Sequence, residues 1–297
     1  MEAMKFKIAV AAIVLGVSGI SFAQDNDTLE KVKASGSIVL GVKDNTIPLT
    51  YLAGKTYTGM QTELCRKFVE NELPGVKIRY MSVTAQNRIP LLQNGTVDIV
   101  CDATTNTVAR AQQVSFAFTD YVAQVRYAVK KSSGIQSIND LKGKNVATSV
   151  GTTVVQNLRK LDAEKNLGIN LVLTKDHNEG FLLLQSGRVD AYVIDDCTLA
   201  GNIANMQNPT DYAIVGTPLS VEPLAIMIRK DDPKMKRAID QFISGLMKTG
   251  EMLRIYNRWF TEPIPPKNVV LNLPASGATK AAYENPNDRP AEAYVEK

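Results

Sequence analysis

Eight consecutive residues recur in this chain, and the recurrence constrains its architecture more than any other feature. Leu91-Leu92-Gln93-Asn94-Gly95-Thr96-Val97-Asp98 returns as Leu183-Leu184-Gln185-Ser186-Gly187-Arg188-Val189-Asp190, identical at six of the eight positions. In each copy a helical run stops at a glycine, which takes the left-handed turn of a helix C-cap without steric cost. In each, an aspartate then opens an apolar strand. Used twice, the idiom implies two α/β units of similar design. The flanking patterns agree. Strands over 37–42, 76–81 and 97–101 alternate with helices over 59–72 and 87–93, the signature of a parallel sheet covered by helices. A second series follows residue 121, with strands over 125–130, 145–148, 171–174 and 190–194 and helices over 154–163 and 178–185. The runs VRYAVK (125–130) and PLAIMIRK (223–230) resemble one another and read as two strands crossing between lobes. The expected partition is lobe one from 28–122 plus 227–297 and lobe two from 123–226, hinge strands included. Two hinge strands make closure of a clamp the natural motion. Helices over 234–247 and 251–260 follow, and the Pro-rich tail from Pro263 is expected to wrap the surface.

The N-terminus carries a second constraint. Lys5 and Lys7 precede an apolar run over 8–20, and Ser21-Phe22-Ala23 offers small residues for cleavage. That is a secretory signal over 1–23. The run is shorter than the ~20 apolar residues a spanning helix needs, and no cysteine ends it, so no lipid attachment is expected. Residues 24–297 are long for one domain and comfortable for two, at roughly 100–200 residues each. The formal charge of +4 is spread among interspersed acids and bases. This argues against nucleic acid, which requires a basic stripe, and suits a small anionic partner. Three cysteines, Cys65, Cys101 and Cys197, permit at most one bridge. Cys65 and Cys101 fall in one lobe, although their spacing fixes nothing about distance, and Cys197 is expected as a buried free thiol in the other. With no CxxC and a single histidine, His177, neither a metal nor another cofactor is expected.

In open α/β sheets ligands lie beyond the carboxyl ends of the strands. Here those ends are Lys43, residues 102–106, residues 149–153 and Asp195-Asp196, and lobes facing one another bring all four sets to one cleft. Gly151-Thr152-Thr153, between a strand and a helix, offers unpaired helix N–H groups to an anion, or a plain N-cap. Thr104-Thr105-Asn106 adds hydroxyls, and Arg110 a fork that grips a carboxylate with two parallel bonds. Asp195-Asp196 divides naturally into one carboxylate for an ammonium and one for a helix cap. Read alone, Arg88 is a solvated helix residue and His177 an exposed loop residue.

Taken together, Gln86 through Thr96, Thr104-Thr105-Asn106, Leu141-Lys142-Gly143-Lys144, Ser149 through Thr153, Lys175-Asp176-His177, Asp195-Asp196 and Pro263-Ile264-Pro265-Pro266-Lys267-Asn268 resemble the periplasmic amino-acid-binding proteins of ABC importers, solute-binding family 3, and among them the glutamate/aspartate binders. The resemblance implies the type II two-lobed α/β fold and a monomer without cofactor. It implies that the chain closes on an acidic L-amino acid in the periplasm and delivers it to an inner-membrane ABC permease. It places Arg110 with the Thr104-Thr105 region on the α-carboxylate, and Thr152 and Thr153 on lobe two's share of that clamp. Asp195 falls on the α-ammonium, and Arg88 and His177 on a side-chain carboxylate. Lys43 stands where an arginine is expected and keeps its cation, while Ala85 and Ala103 stand where serines are expected. The rivals are another polar ligand such as glutamine, or a dehydratase-like enzyme on the same scaffold with Glu179 or His177 as its acid or base.

Overall fold

The computed structural model describes residues 27–294; the signal-like segment lies outside them. The strands in chain order are β1 (Ser37–Val42), β2 (Asn45–Thr46), β3 (Thr50–Ala53), β4 (Thr56–Thr58), β5 (Lys77–Ser82), β6 (Ile99–Val100), β7 (Val114–Phe116), β8 (Tyr121–Lys130), β9 (Asn145–Ser149), β10 (Asn170–Thr174), β11 (Ala191–Asp195), β12 (Tyr212–Leu224) and β13 (Met227–Arg229). They build two five-stranded sheets, one per lobe. The first has the order β5-β1-β6-β13-β7, with β1 parallel to β5 and β6 and β13 antiparallel to both its neighbours. The second has the order β10-β9-β11-β8-β12, with β9 parallel to β10 and β11 and β8 antiparallel to β11 and β12. Strands β2, β3 and β4 form a small antiparallel sheet on the first lobe. Helices on both faces explain why the central strands read as continuous apolar runs: all five residues of β11 are buried.

The recurrent octapeptide does the same work in each lobe. Gly95 and Gly187 take left-handed φ of 77° and 74° at the helix ends. Asp98 then accepts the Val39 N–H of β1 at 2.8 Å, and Asp190 accepts the Asn145 N–H of β9 at 2.9 Å. Each aspartate thus satisfies a backbone donor in the N-terminal half of the neighbouring strand. The sequence repeat encodes a turn and the register of the strand beside it.

The crossing between lobes departs from the sequence reading in one respect. Strands β8 and β12 pair antiparallel from Tyr121–Leu224 to Lys130–Tyr212, with a register irregularity between Val215 and Ser220. Residues 223–230, expected as one strand, divide at Ala225-Ile226, leaving β12 in the second sheet and β13 in the first. The backbone at the break is bonded elsewhere: Ala225 N–H donates to the Thr104 carbonyl, and the Ile226 carbonyl accepts from Ala117 N–H. The tail is pinned over this crossing by helix Gly277–Glu284, where Thr279 Oγ1 accepts Val122 N–H and Tyr283 donates to the Asp120 carbonyl.

Cys65, on helix Met60–Glu72, and Cys101, just past β6, form a disulfide. Cys197 is a buried free thiol. Its helix, Asp196–Asn205, leaves the second sheet, yet its side chain packs into the first lobe's apolar core with Tyr121, Tyr256 and Phe260. One thiol per chain is therefore expected on denaturation without reductant, and three after reduction. Replacing Cys65 and Cys101 together by alanine removes a loop constraint worth about 3 kcal/mol. The denaturant midpoint of the double variant, measured against wild type, checks the second part. An unchanged midpoint would contradict it.

Candidate functional site

The strand ends of both lobes meet at a narrow cleft. Lobe one contributes Lys43, Arg88, Ala103, Thr105 and Arg110, and lobe two Thr152, Thr153, His177, Ile194 and Asp195. The lobes touch at its rim. Gly151 has φ +81°, and a Cβ there would stand 2.7 Å from the Ala85 carbonyl, so any larger residue would hold the cleft apart. Thr104 is set apart from the other expected site residues. It is fully buried and its carbonyl serves Ala225, while its side chain does not line the space. Adjacent residues of an extended chain face opposite ways, and here Thr105 takes the cleft side.

The deepest feature is a cluster formed by the expected cations Lys43 and Arg88 around Asp102, whose role the sequence reading did not single out. Asp102 Oδ2 lies 3.1 Å from Lys43 Nζ and 2.6 Å from Arg88 Nη1, and all three side chains are almost wholly buried. Arg88 also donates to the Ala103 carbonyl at 2.9 Å. Burial alone would raise the Asp102 pKa, but the two cations outweigh it and hold the carboxyl below its usual range. Burial lowers Lys43, opposed by Asp102. Arg88 is thus no solvated helix residue. Lys43 and Arg88 together present one net positive charge, because Asp102 neutralises the other. The only sequence signal for Asp102 was its place at the end of β6.

Arg110, carried by the short helix Val108–Ala111, spans the cleft. It donates to the Thr105 carbonyl at 3.0 Å and to the Gly151 carbonyl of the opposite lobe at 3.1 Å. Burial, aided by the neighbouring Arg88, lowers its pKa to about 10, so it is cationic at neutral pH. Asp195 ends β11 at the N-cap position of the next helix but makes no capping bond. Burial, with Glu222 and Asp196 nearby, raises its pKa well above the ordinary value. Its neighbour Asp196 is structural, with Oδ1 accepting from Cys197 N, Tyr121 Oη and Gln124 N. Asp196 takes a structural role, but the side-chain cap expected of one aspartate is not made by Asp195, which holds the N-cap position.

His177 is buried, the first residue of helix His177–Ser186, rather than an exposed loop residue. Its Nδ1 is 2.7 Å from Tyr192 Oη and 3.3 Å from Ser149 Oγ. Burial, and after it the charge on Lys43, pushes its pKa down to about 3, so the ring is neutral near pH 7. Thr152 Oγ1 donates to the Ser149 carbonyl at 2.7 Å. Thr153 starts helix Val154–Lys165 without capping it, and its hydroxyl reaches Glu222 at 2.8 Å. Glu222, on β12, is the second buried carboxylate that sequence reading missed. Beyond Lys43 and His177 a pocket of about 120 Å³ opens toward Ser82, Thr84 and Lys175.

The chain as a whole is similar to known proteins. Residues 38–262 match the model of the bacterial extracellular solute-binding proteins, family 3. The chain is 43% identical over 273 residues to the L-glutamate/L-aspartate-binding protein of Pseudomonas aeruginosa, covering 89% of this chain and 90% of the relative. It is 36% identical to the glutamate/aspartate import solute-binding protein of Salmonella typhimurium, covering 95% and 98%. Among solved structures, a mutant of ArgBP from T. maritima superposes with a TM-score of 0.71 at 26% identity, covering 78% of this chain and 98% of that one. The matched span, the two-lobed fold and the inter-lobe cleft together place this chain in the bacterial extracellular solute-binding proteins, family 3.

Proposed function

We propose that this protein is the periplasmic capture component of an ABC importer for acidic L-amino acids, glutamate and aspartate. The observation that carries the reading is the charge pattern along the cleft. Arg110 lies toward one part, Asp195 carries a carboxylate that makes no capping bond, and the Lys43–Asp102–Arg88 cluster supplies one net positive charge. An amino acid with an anionic side chain has the matching three groups: α-carboxylate for Arg110, α-ammonium for Asp195, side-chain carboxylate for the cluster. The start of helix Val154–Lys165 adds unpaired N–H groups for the α-carboxylate. The relatives' names agree with this ligand class. The protein acts as a monomer, with lobe one as residues 28–122 and 227–297 and lobe two between them, and hands its ligand to an inner-membrane permease after cleavage of residues 1–23.

Binding without chemistry fits the candidate acid and base groups better than an enzyme does. Glu179 accepts the Lys175 N–H at 2.7 Å and is solvent-exposed at the head of its helix, while His177 is held by Tyr192 and Ser149. Glutamine remains the alternative ligand. It would leave the cluster's positive charge without a counter-charge, and an uncompensated buried charge is costly.

Two outcomes are expected. Arg110→Ala and Asp195→Ala each remove the partner of a group common to all α-amino acids, so calorimetry should show at least ~100-fold weaker binding of glutamate and aspartate, on the order of 3 kcal/mol, as for truncation of one partner of a buried charge pair. Affinity within a few fold of wild type in either variant would break the pocket assignment. Glutamate should exceed glutamine in affinity, and Arg88→Ala should narrow the ratio. Because His177 stays neutral down to about pH 3, that ratio should be the same at pH 7 and pH 5. A preference for glutamate that climbs steeply between them would mean that the imidazole is charged in the complex, and glutamine equal to glutamate would refute the acidic pocket.

A further inference from the structure

Glu222 is held from both sides of the cleft. Thr105 of lobe one and Thr153 of lobe two donate their hydroxyls to the same oxygen, Oε2, at 2.6 and 2.8 Å. The other oxygen, Oε1, accepts from Ser220 Oγ at 2.9 Å and from Asn157 Nδ2 at 3.3 Å. The side chain is 2% exposed and rises from the crossing strand β12, two residues before the bridge between Leu224 and Thr105. These partners are all neutral donors.

A hydroxyl has one proton to give. With that proton committed to Glu222, Thr105 and Thr153 offer only lone pairs to the space they line. Asp195, lining the same space, also offers only lone pairs when ionised. An ammonium carries three protons and no acceptor; a carboxylate oxygen would meet lone pairs on all three groups. We propose that Glu222 is a positioning residue that fixes the Thr105 and Thr153 hydroxyls as acceptors, so that with Asp195 they form a seat for a primary ammonium and turn a carboxylate away toward Arg110 and the start of helix Val154–Lys165. The inference rests on the amino-acid reading of the cleft and alters one part of it. The hydroxyls at 105 and 153 serve the ammonium, not the carboxylate.

The arrangement also ties recognition to closure. Thr105 and Thr153 belong to opposite lobes, and only when these meet can both reach one carboxylate oxygen. The ammonium seat is assembled by the same contact that brings the lobes together. A ligand lacking the ammonium leaves Asp195 and two oriented hydroxyls facing one another with nothing between them.

The test compares glutamate with glutarate, which keeps both carboxylates and lacks the ammonium. Affinities are read by calorimetry for glutamate and by displacement at millimolar concentration for glutarate. In Glu222→Met the hydroxyls are released to turn. Glutamate should weaken at least ~30-fold while glutarate changes by less than about threefold. Thr153→Val removes one acceptor at constant volume and should shift the ratio the same way by a smaller factor, with a cooperative thermal unfolding transition as the check on folding. If Glu222→Met does not fold, Thr153→Val and Thr105→Val together carry the comparison. Equal losses for the two ligands would reduce Glu222 to a scaffold between lobes, and unchanged glutamate binding would remove it from recognition. Both results overturn the proposal while leaving the amino-acid reading in place. Failure of the wild-type protein to bind glutamate would overturn that reading and this proposal with it.

Discussion

Asp102, shared by Lys43 and Arg88, is the interaction on which the site is built. Three charged groups lie almost wholly buried, and each is tolerable only because the others are there. Removing one partner from such a group typically costs about 3–5 kcal/mol, because an unpaired charge is left in a poorly polarisable interior. Position follows from this. Lys43 lies just past β1, Arg88 begins a helix, and Asp102 leaves β6, so the cluster fastens three elements at the carboxyl edge of one sheet. The disulfide from Cys101 to helix Met60–Glu72 anchors the same edge. The loop that follows delivers Thr105 to the cleft and bonds to the crossing strands at Leu224 and Ala225.

Contacts across the cleft carry this order to the other lobe. Arg110 reaches the Gly151 carbonyl, Gly151 abuts Ala85, and Glu222 collects hydroxyls from both sides. Helix Asp196–Asn205 docks on the first lobe as well, through Asn202 to the Asn45 carbonyl and through Cys197 in the shared apolar core. A ligand shifts a balance between open and closed forms only through the difference in its affinity for them. Contacts that exist in the closed form alone supply that difference. Contacts such as Arg110 to Gly151 join opposite lobes, whereas the Asp102 cluster lies wholly in lobe one.

Much of this was legible in the sequence. The octapeptide and its echo announced two similar α/β units, since a glycine in the left-handed region and an aspartate at a strand start are local requirements met by particular residue types. Thr105, Thr153 and Asp195 could be found because each sits near a strand end or helix start, where ligands gather, and Arg110 because it is a guanidinium a few residues beyond Thr105. What escaped had a distant cause. Glu222 lies 117 residues from Thr105 and 69 from Thr153, inside a strand with no local mark of function. His177 reads as a solvent-facing loop residue until Tyr192 and Ser149 enclose it.

The sequence by itself determined the two-lobed α/β plan, the central strands and covering helices of each lobe and the stretch from which each cleft group would come, because periodicity, turn chemistry and capping act over a few residues. Tertiary structure alone decided which of two adjacent threonines faces the cleft, where the run over 223–230 breaks between sheets, and which charge neutralises which. A carboxylate at a strand end looks the same in a sequence whether it meets water, a ligand or a buried cation. Its chemistry is set by burial and by partners that only the folded chain brings within 3 Å.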